Sequence, residues 1–457
     1  FLKYYREYLA AVLANLSMAS CGIVMGWPSP ALAILLRENS PIKITSDEGS
    51  TMVAIMSVGG VLGPFVSAAI VDRIGRKMTL LVSTIPLTIA WIMILLAKSV
   101  YVLYAARIVT GLGINICFAT VPMYLGEIAS TPIRGSVVTC EGILIVIGIL
   151  YAYAIGPFVS FRTFPIYALG VIIVFLATFI WMPESPYYLM NKGKPEEAEK
   201  ALKWLRNSDD VKEDLKEINA SIELAQKNRG KISELWSKKN RKIIFIVLTL
   251  HAAQALSGTQ VIGTYAETIF GQVAGGLRPE ISTIILGVFQ LCAVSVSSFV
   301  VDKAGRRPLI LGSTIGCSFS LFIIGLYFLL ADTTNIESQY ISWIPLAGVL
   351  LFTLNFDFGL SPTPFVVFAE IFPVNIKAYG FALQTIFGAV LVASTTKFYQ
   401  STADYFGNTI PFWSFSVCLI ILVIVFWRIV PETKGKSFNK ILEELKVYDN
   451  EAFNQKE

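Results

Sequence analysis

SAAIVDRIGR (67–76) and SSFVVDKAGR (297–306) are one pattern written twice, Ser67-x4-Asp72-x2-Gly75-Arg76 and Ser297-x4-Asp302-x2-Gly305-Arg306. Two further signatures recur in the same order. Glu127-x6-Arg134 returns as Glu370-x6-Lys377, and Pro183-Glu184-Ser185 returns as Pro431-Glu432-Thr433. One acidic–basic pair would be an ordinary solvated charge. Three matched sets in one order are an internal repeat.

The sequence around these motifs is apolar. A bilayer core about 30 Å thick needs about 20 apolar residues per helix. Twelve such runs can be read, near 8–29, 50–71, 78–97, 101–124, 137–157 and 163–182, then near 242–271, 280–301, 308–330, 341–369, 378–402 and 410–430. In each half the three motifs follow the second, fourth and sixth run. The expected fold is an all-α membrane protein of twelve transmembrane helices in two six-helix halves with a cytosolic helical linker. The halves span 1–186 and 242–430, the linker 187–241 and a cytosolic tail 431–457. A parallel repeat of this kind places a substrate site near the membrane midplane where the halves meet.

Composition agrees. The 457 residues are 54% hydrophobic and 15% charged, with mean hydropathy +0.64. Soluble domains carry about 25% charge. The net charge of +5 does not imply nucleic acid, because the basic residues sit between apolar runs instead of clustering with aromatics. Grouped by alternate loops, 30 Lys and Arg fall on the side of the termini and six on the other. The bias toward basic cytosolic loops therefore places both termini in the cytosol, in a multi-pass protein of the plasma membrane. The six cysteines all lie in apolar runs and read as small buried residues, not disulfides. No Cys/His spacing suggests a metal, and the lone His251 cannot make one. No cofactor and no obligate protein partner is indicated. Nor is there a phosphate loop or a nucleophile–base pair, so an enzyme is not expected.

In the linker, Val211, Leu215, Ile218, Ile222 and Ala225 recur at helical spacing. This stripe is expected to pack under the protein's own cytosolic face; a partner or the lipid surface is the alternative. The repeated charges have a mechanical reading: ion pairs among Asp72, Arg76, Glu127, Arg134, Glu184, Asp302, Arg306, Glu370, Lys377 and Glu432 would clamp the cytosolic helix ends and close an inner gate. Anchoring by positive charge alone is the plainer alternative.

The segments DRIGRK (72–77), RIVTGLG (107–113), VPMYLGEIASTPIRG (121–135), PESPYYL (183–189), QALSG (254–258), DKAGRRP (302–308), AEIFP (369–373) and PETKG (431–435) resemble the sugar porter family of the major facilitator superfamily, end to end and in family order. GWPSPAL (26–32) resembles the insect facilitated trehalose transporters, and the animal facilitated glucose transporters are similar over the same length. The resemblance implies alternating access and a polar cargo, a hexose or a trehalose-like disaccharide. It implies sugar contacts from the seventh run, which here reads Gln254-Ala255-Leu256-Ser257-Gly258-Thr259-Gln260. The family's second Gln is replaced by Ala255, and its Asn by Gln260. His251 stands where the family often has another Gln, and Phe365 where it usually has Trp. The candidate cargo residues are thus His251, Gln254, Gln260, Tyr265 and Phe365.

Uncharged amides suit a sugar because each offers donors and an acceptor. On a straight helix Gln254, Gly258, Val261 and Tyr265 share a face, while Gln260 lies about 120° away at roughly 100° per residue. A break at Gly258 would let both amides reach one cavity; helix–helix glue is the alternative role for Gln260. Facilitated diffusion is the leading mechanism, because the proton-coupled relatives place an Asp where this chain has Val24. Three charges inside the runs keep proton symport as the alternative: Glu141, Asp357 and Arg107, with Glu141 and Arg107 a candidate pair and Asp357 a candidate member of the gate network. A sugar sensor that binds without turnover is the third reading.

Overall fold

A computed structural model describes residues 4–227, 230–273, 276–333, 338–436 and 438–444, helical and without strands among the described residues. The chain forms two compact units. The first comprises Phe1–Asn228 with Gly263–Ile269 and Arg278–Leu291, and the second comprises Arg229–Ile262, Phe270–Leu277 and Cys292–Glu457.

The long helices of the first unit are α1 (Tyr5–Gly26) continued by α2 (Pro28–Leu35), α3 (Ser46–Ala54) continued by α4 (Met56–Ile74), α5 (Arg76–Leu96), α6 (Val100–Ile128), α7 (Arg134–Ile155) and α8 (Phe164–Phe179). Polar linker helices follow: α9 (Pro186–Asn191), α10 (Pro195–Arg206) and α11 (Lys212–Lys227). After them come α12 (Lys238–Leu256), α13 (Thr259–Gly271), α14 (Pro279–Lys303), α15 (Arg306–Thr333), the short α16 (Ser338–Ile341), α17 (Ile344–Asn355), α18 (Thr363–Ile371), α19 (Lys377–Phe406), α20 (Thr409–Ile429) and α21 (Phe438–Glu444). Among the described residues, eleven helical segments are long and apolar enough to cross a membrane. The sixth run yields only the 16-residue α8, shorter than the expected 163–182, because the chain turns before Pro183.

Without water to drive burial, membrane helices associate through close packing, and small residues permit it. In α1 and α7, a Cβ on Gly22 would fall on the carbonyl oxygen of Ile145, and one on Gly148 on that of Ala19. In α4 and α6, Gly59 and Gly111 do the same against Ile108 and Met56. In the second unit α15 and α20 are stitched by a reciprocal pair: Ser318 Oγ donates to the Ser416 carbonyl at 2.9 Å, and Ser416 Oγ to that of Ser318 at 2.8 Å.

The linker stripe packs on its own chain. Val211 and Ile218 are buried with Leu202 of α10, and Leu215 and Ile222 lie against them; the side chain of Ala225 is outside the described residues. A buried charge latches the linker to the first helix. Glu7, 0% exposed, meets Arg206 Nη1 at 3.1 Å and accepts from Ser130 N at 2.7 Å and Ser130 Oγ at 2.8 Å. Arg206 Nε reaches Asp214 at 3.0 Å. The cysteines are all free, but only Cys21, Cys117 and Cys317 are buried. Cys140 and Cys418 are half-buried and Cys292 is exposed, because a membrane helix also turns apolar side chains outward.

Gly111→Val should disrupt the α4–α6 contact, since overpacking of this kind costs about 1–3 kcal/mol. The expected result is a lower melting temperature of the detergent-solubilised protein, with Gly170→Ala, where a Cβ meets nothing within 4 Å, as the silent control.

Candidate functional site

The repeated motifs build the same contact twice. A helix N-terminus carries unsatisfied N–H groups and a partial positive charge, so a carboxylate belongs there. At the start of α5, Glu184 Oε1 accepts from the amides of Arg76 at 2.9 Å and Lys77 at 3.0 Å. Gly75 allows the approach: it has φ +97°, and a Cβ there would fall on the Glu184 carboxylate. The Arg76 guanidinium then joins Glu127 at 2.9 Å and Asp72 at 3.1 Å, over the ring of Tyr188 at 5.5 Å. Ser185 Oγ donates to the other side of this knot, to Glu127.

At the start of α15, Glu432 accepts from the amides of Arg306 at 2.9 Å and Arg307 at 3.2 Å. Arg306 Nη2 meets Glu370 at 3.1 Å, and Thr433 Oγ1 donates to Glu370. Burial pushes the Glu432 carboxyl up, but the amides of Lys434, Arg306, Arg307 and Thr433 outweigh it and hold it below its ordinary value. The side chain of Asp302 lies outside the described residues.

Two expected members stand apart. Arg134 is exposed at the start of α7, with no ion pair among the described residues. Lys377 donates to the Ala369 carbonyl at 3.0 Å and lies over Phe368. The carboxylates that these two could have met are already held by Arg76 and Arg306. Both knots tie helices of a single unit.

In the second unit an uncharged cluster forms around α12. The seventh run breaks as the sequence suggests: α12 ends at Leu256 and α13 starts at Thr259, with Gly258 at φ +74°. Gln254 Nε2 donates to the carbonyls of Leu360 at 3.1 Å and Ser361 at 2.8 Å. In a regular helix the Leu360 carbonyl would take the N–H of residue 364, which is proline and has none. Gln254 supplies the missing donor and keeps its own carbonyl oxygen as an acceptor. His251 Nδ1 pairs with Gln384 Nε2 at 3.3 Å, packs edge-on to Phe365 at 6.2 Å and covers Gly388, where a Cβ would fall on its Nε2.

The structure thus brings together His251, Gln254 and Phe365, the last 46% exposed. Gln260 is half-buried on α13, and Tyr265 is buried within the first unit. Gln384, 2% exposed, was not among the sequence candidates. Its signal was available, an amide inside an apolar run four residues before Gly388.

The remaining charges do not pair with each other. Arg107, 1% exposed, donates from Nη1 to the Val24 carbonyl and from Nε to the Met52 carbonyl, each at 3.4 Å. Its guanidinium lies over Trp27 at 5.7 Å. The candidate Arg107–Glu141 pair is absent among the described residues: Nη1 and Nε go to backbone carbonyls, and Nη2 has no hydrogen-bond partner among the described residues. Asp357 is buried on a π-helical turn (Phe356–Leu360); its carbonyl accepts from Ser297 Oγ, the serine that opens the second copy of the repeated motif, and its Oδ2 has no hydrogen-bond partner among the described residues.

A family model described as "Sugar (and other) transporter" matches residues 9–445. The facilitated trehalose transporter Tret1 of Apis mellifera ligustica is 28% identical over 445 residues, covering 96% of this chain and 88% of that protein. The Tret1 of Polypedilum vanderplanki is 30% identical over 444 residues, covering 96% and 87%. The xylose transporter XylE from E. coli, in a partially occluded inward-open conformation, matches with TM-score 0.79 at 21% identity, over 96% of this chain and 100% of that one. A peptide transporter POT in complex with sulfate matches with TM-score 0.69 at 13% identity, over 93% and 94%. At these identities the structural likeness is one of fold.

Glu432→Gln keeps the shape of the α15 cap and removes its charge, which should cost about 0.3–1 kcal/mol. Because the folded carboxyl titrates below its ordinary value, the contribution is complete above that ordinary value and is lost as pH falls through the folded one. Melting temperatures measured from neutral to acid pH should therefore differ between parent and variant at neutral pH and converge in acid.

Proposed function

The chain belongs to the sugar transporter family, and from that membership we propose that it is a facilitative sugar carrier working by alternating access. The proposed cargo is a hexose or a trehalose-like disaccharide. The observation that carries this reading is the uncharged cluster of His251, Gln254, Gln384 and Phe365 on membrane helices. Amide and imidazole groups beside an exposed aromatic face match a neutral polyhydroxylated ring, whose hydroxyls both donate and accept and whose C–H face stacks. The curated relatives carry facilitated trehalose transport in their names. Gln260 and Tyr265 are proposed as further contacts from α13.

The basic loops support a plasma-membrane orientation with both termini cytosolic, two six-helix repeats at 1–186 and 242–430, and a linker between them. The two arginine knots support a mechanical role in which each half moves as one body. Uniport is favoured by the surroundings of Arg107. Its neighbour is the carbonyl of Val24, at the position where proton-coupled relatives carry an Asp, so no carboxylate side chain exchanges a proton there.

Reconstituted protein offered labelled trehalose, glucose, fructose and sugar alcohols should equilibrate at least one of them and accumulate none against its gradient when the outside is acid. Accumulation would overturn uniport, and uptake of none would overturn the cargo class. Val24→Asp, which puts a carboxylate on the residue whose carbonyl accepts from Arg107, should make the uptake rate depend on pH.

Gln254→Ala should weaken apparent affinity about five- to one-hundred-fold, the loss of about 1–3 kcal/mol for one buried hydrogen bond. Competition binding checks this, and unchanged affinity would remove Gln254 from the site.

A further inference from the structure

One buried carboxylate belongs neither to the arginine knots nor to the uncharged cluster. Glu267, on α13, is 4% exposed, and its Oε2 has no hydrogen-bond partner among the described residues. Its segment, Gly263–Ile269, is part of the first unit and is pinned there through the backbone. Tyr153 of α7 donates its hydroxyl to the Gly263 carbonyl at 2.8 Å. Four residues on, the amide of Glu267 itself donates to Ser29 Oγ of α2 at 3.1 Å. The backbone that carries the carboxylate is therefore held while α13 stays docked.

The charged groups that bear on it do not neutralise it. From α14 comes a second carboxylate, Glu280, whose Oε2 also lacks a hydrogen bond and has Arg278 Nε at 3.5 Å. From the loop after α2 comes Arg37, exposed and in no ion pair with Glu267. The α7 helix contributes Tyr153, already engaged, and α13 itself contributes Tyr265, both phenols. A buried carboxylate oxygen without a donor costs more charged than neutral, and a like charge nearby adds to that cost. A neutral carboxyl meets neither penalty.

We propose that Glu267 is a proton-binding site. With the proton bound, residues 263–269 stay docked on Ser29 and Tyr153. When the proton leaves to bulk water, the charge follows it toward solvent and the segment is released. Such a proton sets how fast α13 docks and undocks and leaves the sugar equilibrium untouched, which separates it from symport.

Hydrogen–deuterium exchange of peptides covering 259–271 tests this on the whole protein, corrected for intrinsic exchange. The parent should exchange severalfold faster at alkaline than at acid pH. Glu267→Gln, which mimics the neutral carboxyl, should hold the slow acid value throughout. Glu280→Gln removes the like charge and should move the parent's transition to lower pH by about one unit. Equal pH dependence in the parent and Glu267→Gln overturns the proposal. If Glu267→Gln does not fold, an unmoved transition in Glu280→Gln does so. A second arm, which rests on the transport reading, measures sugar counterflow against pH and expects a flat profile in Glu267→Gln. Absent counterflow would count against sugar transport, while the exchange arm would still decide the proton site.

Discussion

In hydrocarbon a backbone N–H or C=O has no water to turn to, so each must find its partner inside the protein. That constraint explains why several side chains of this chain stand where they do. Pro364 deprives the Leu360 carbonyl of its helical donor, and Gln254 from another helix replaces it. The helix starts at Arg76 and Arg306 leave amides open, and Glu184 and Glu432 close them. Arg107 meets no carboxylate among the described residues and donates to two carbonyls instead. The polar residues in the apolar runs are first of all repairs to the backbone, and a binding function has to use what those repairs leave free.

The two arginine knots show this economy twice. In each, one carboxylate caps a helix while a second holds the arginine that opens the same helix, and a hydroxyl from the residue after the cap closes the loop. Single exposed ion pairs contribute little. These arginines are mostly buried, with side-chain exposures of 10% and 13%, and share several partners, which is where such networks gain strength. Because each knot lies in one unit, it stiffens that unit.

Much of this was legible in the sequence because repetition and apolar run length report on backbone geometry. The spans, the linker stripe, the break at Gly258 and the place of Arg76, Glu127, Arg306 and Glu370 in repeated charge motifs could be read from spacing. Partner choice inside a crowded cluster could not. Glu127-x6-Arg134 looks like a pair along the chain, yet the turn at Ala129–Ile133 separates its ends and Arg76 arrives first. The Gln254 donor is committed to a carbonyl that only the position of Pro364 in another helix leaves open. Gln384 and Glu267 were written plainly enough, but a single polar letter in an apolar run says nothing of its partner.

The latch between Glu7 and Arg206 has a consequence in time. Glu7 is made near the start of the chain, while the guanidinium that meets it is made about 200 residues later, roughly 10–40 s afterward at a synthesis rate of about 5–20 residues per second. Until then the carboxylate at the foot of the first membrane helix has no such counter-ion, and the five spans that follow must insert before it is satisfied. Completion of the linker is therefore a late checkpoint for the first half, reached only once all the intervening helices are in place.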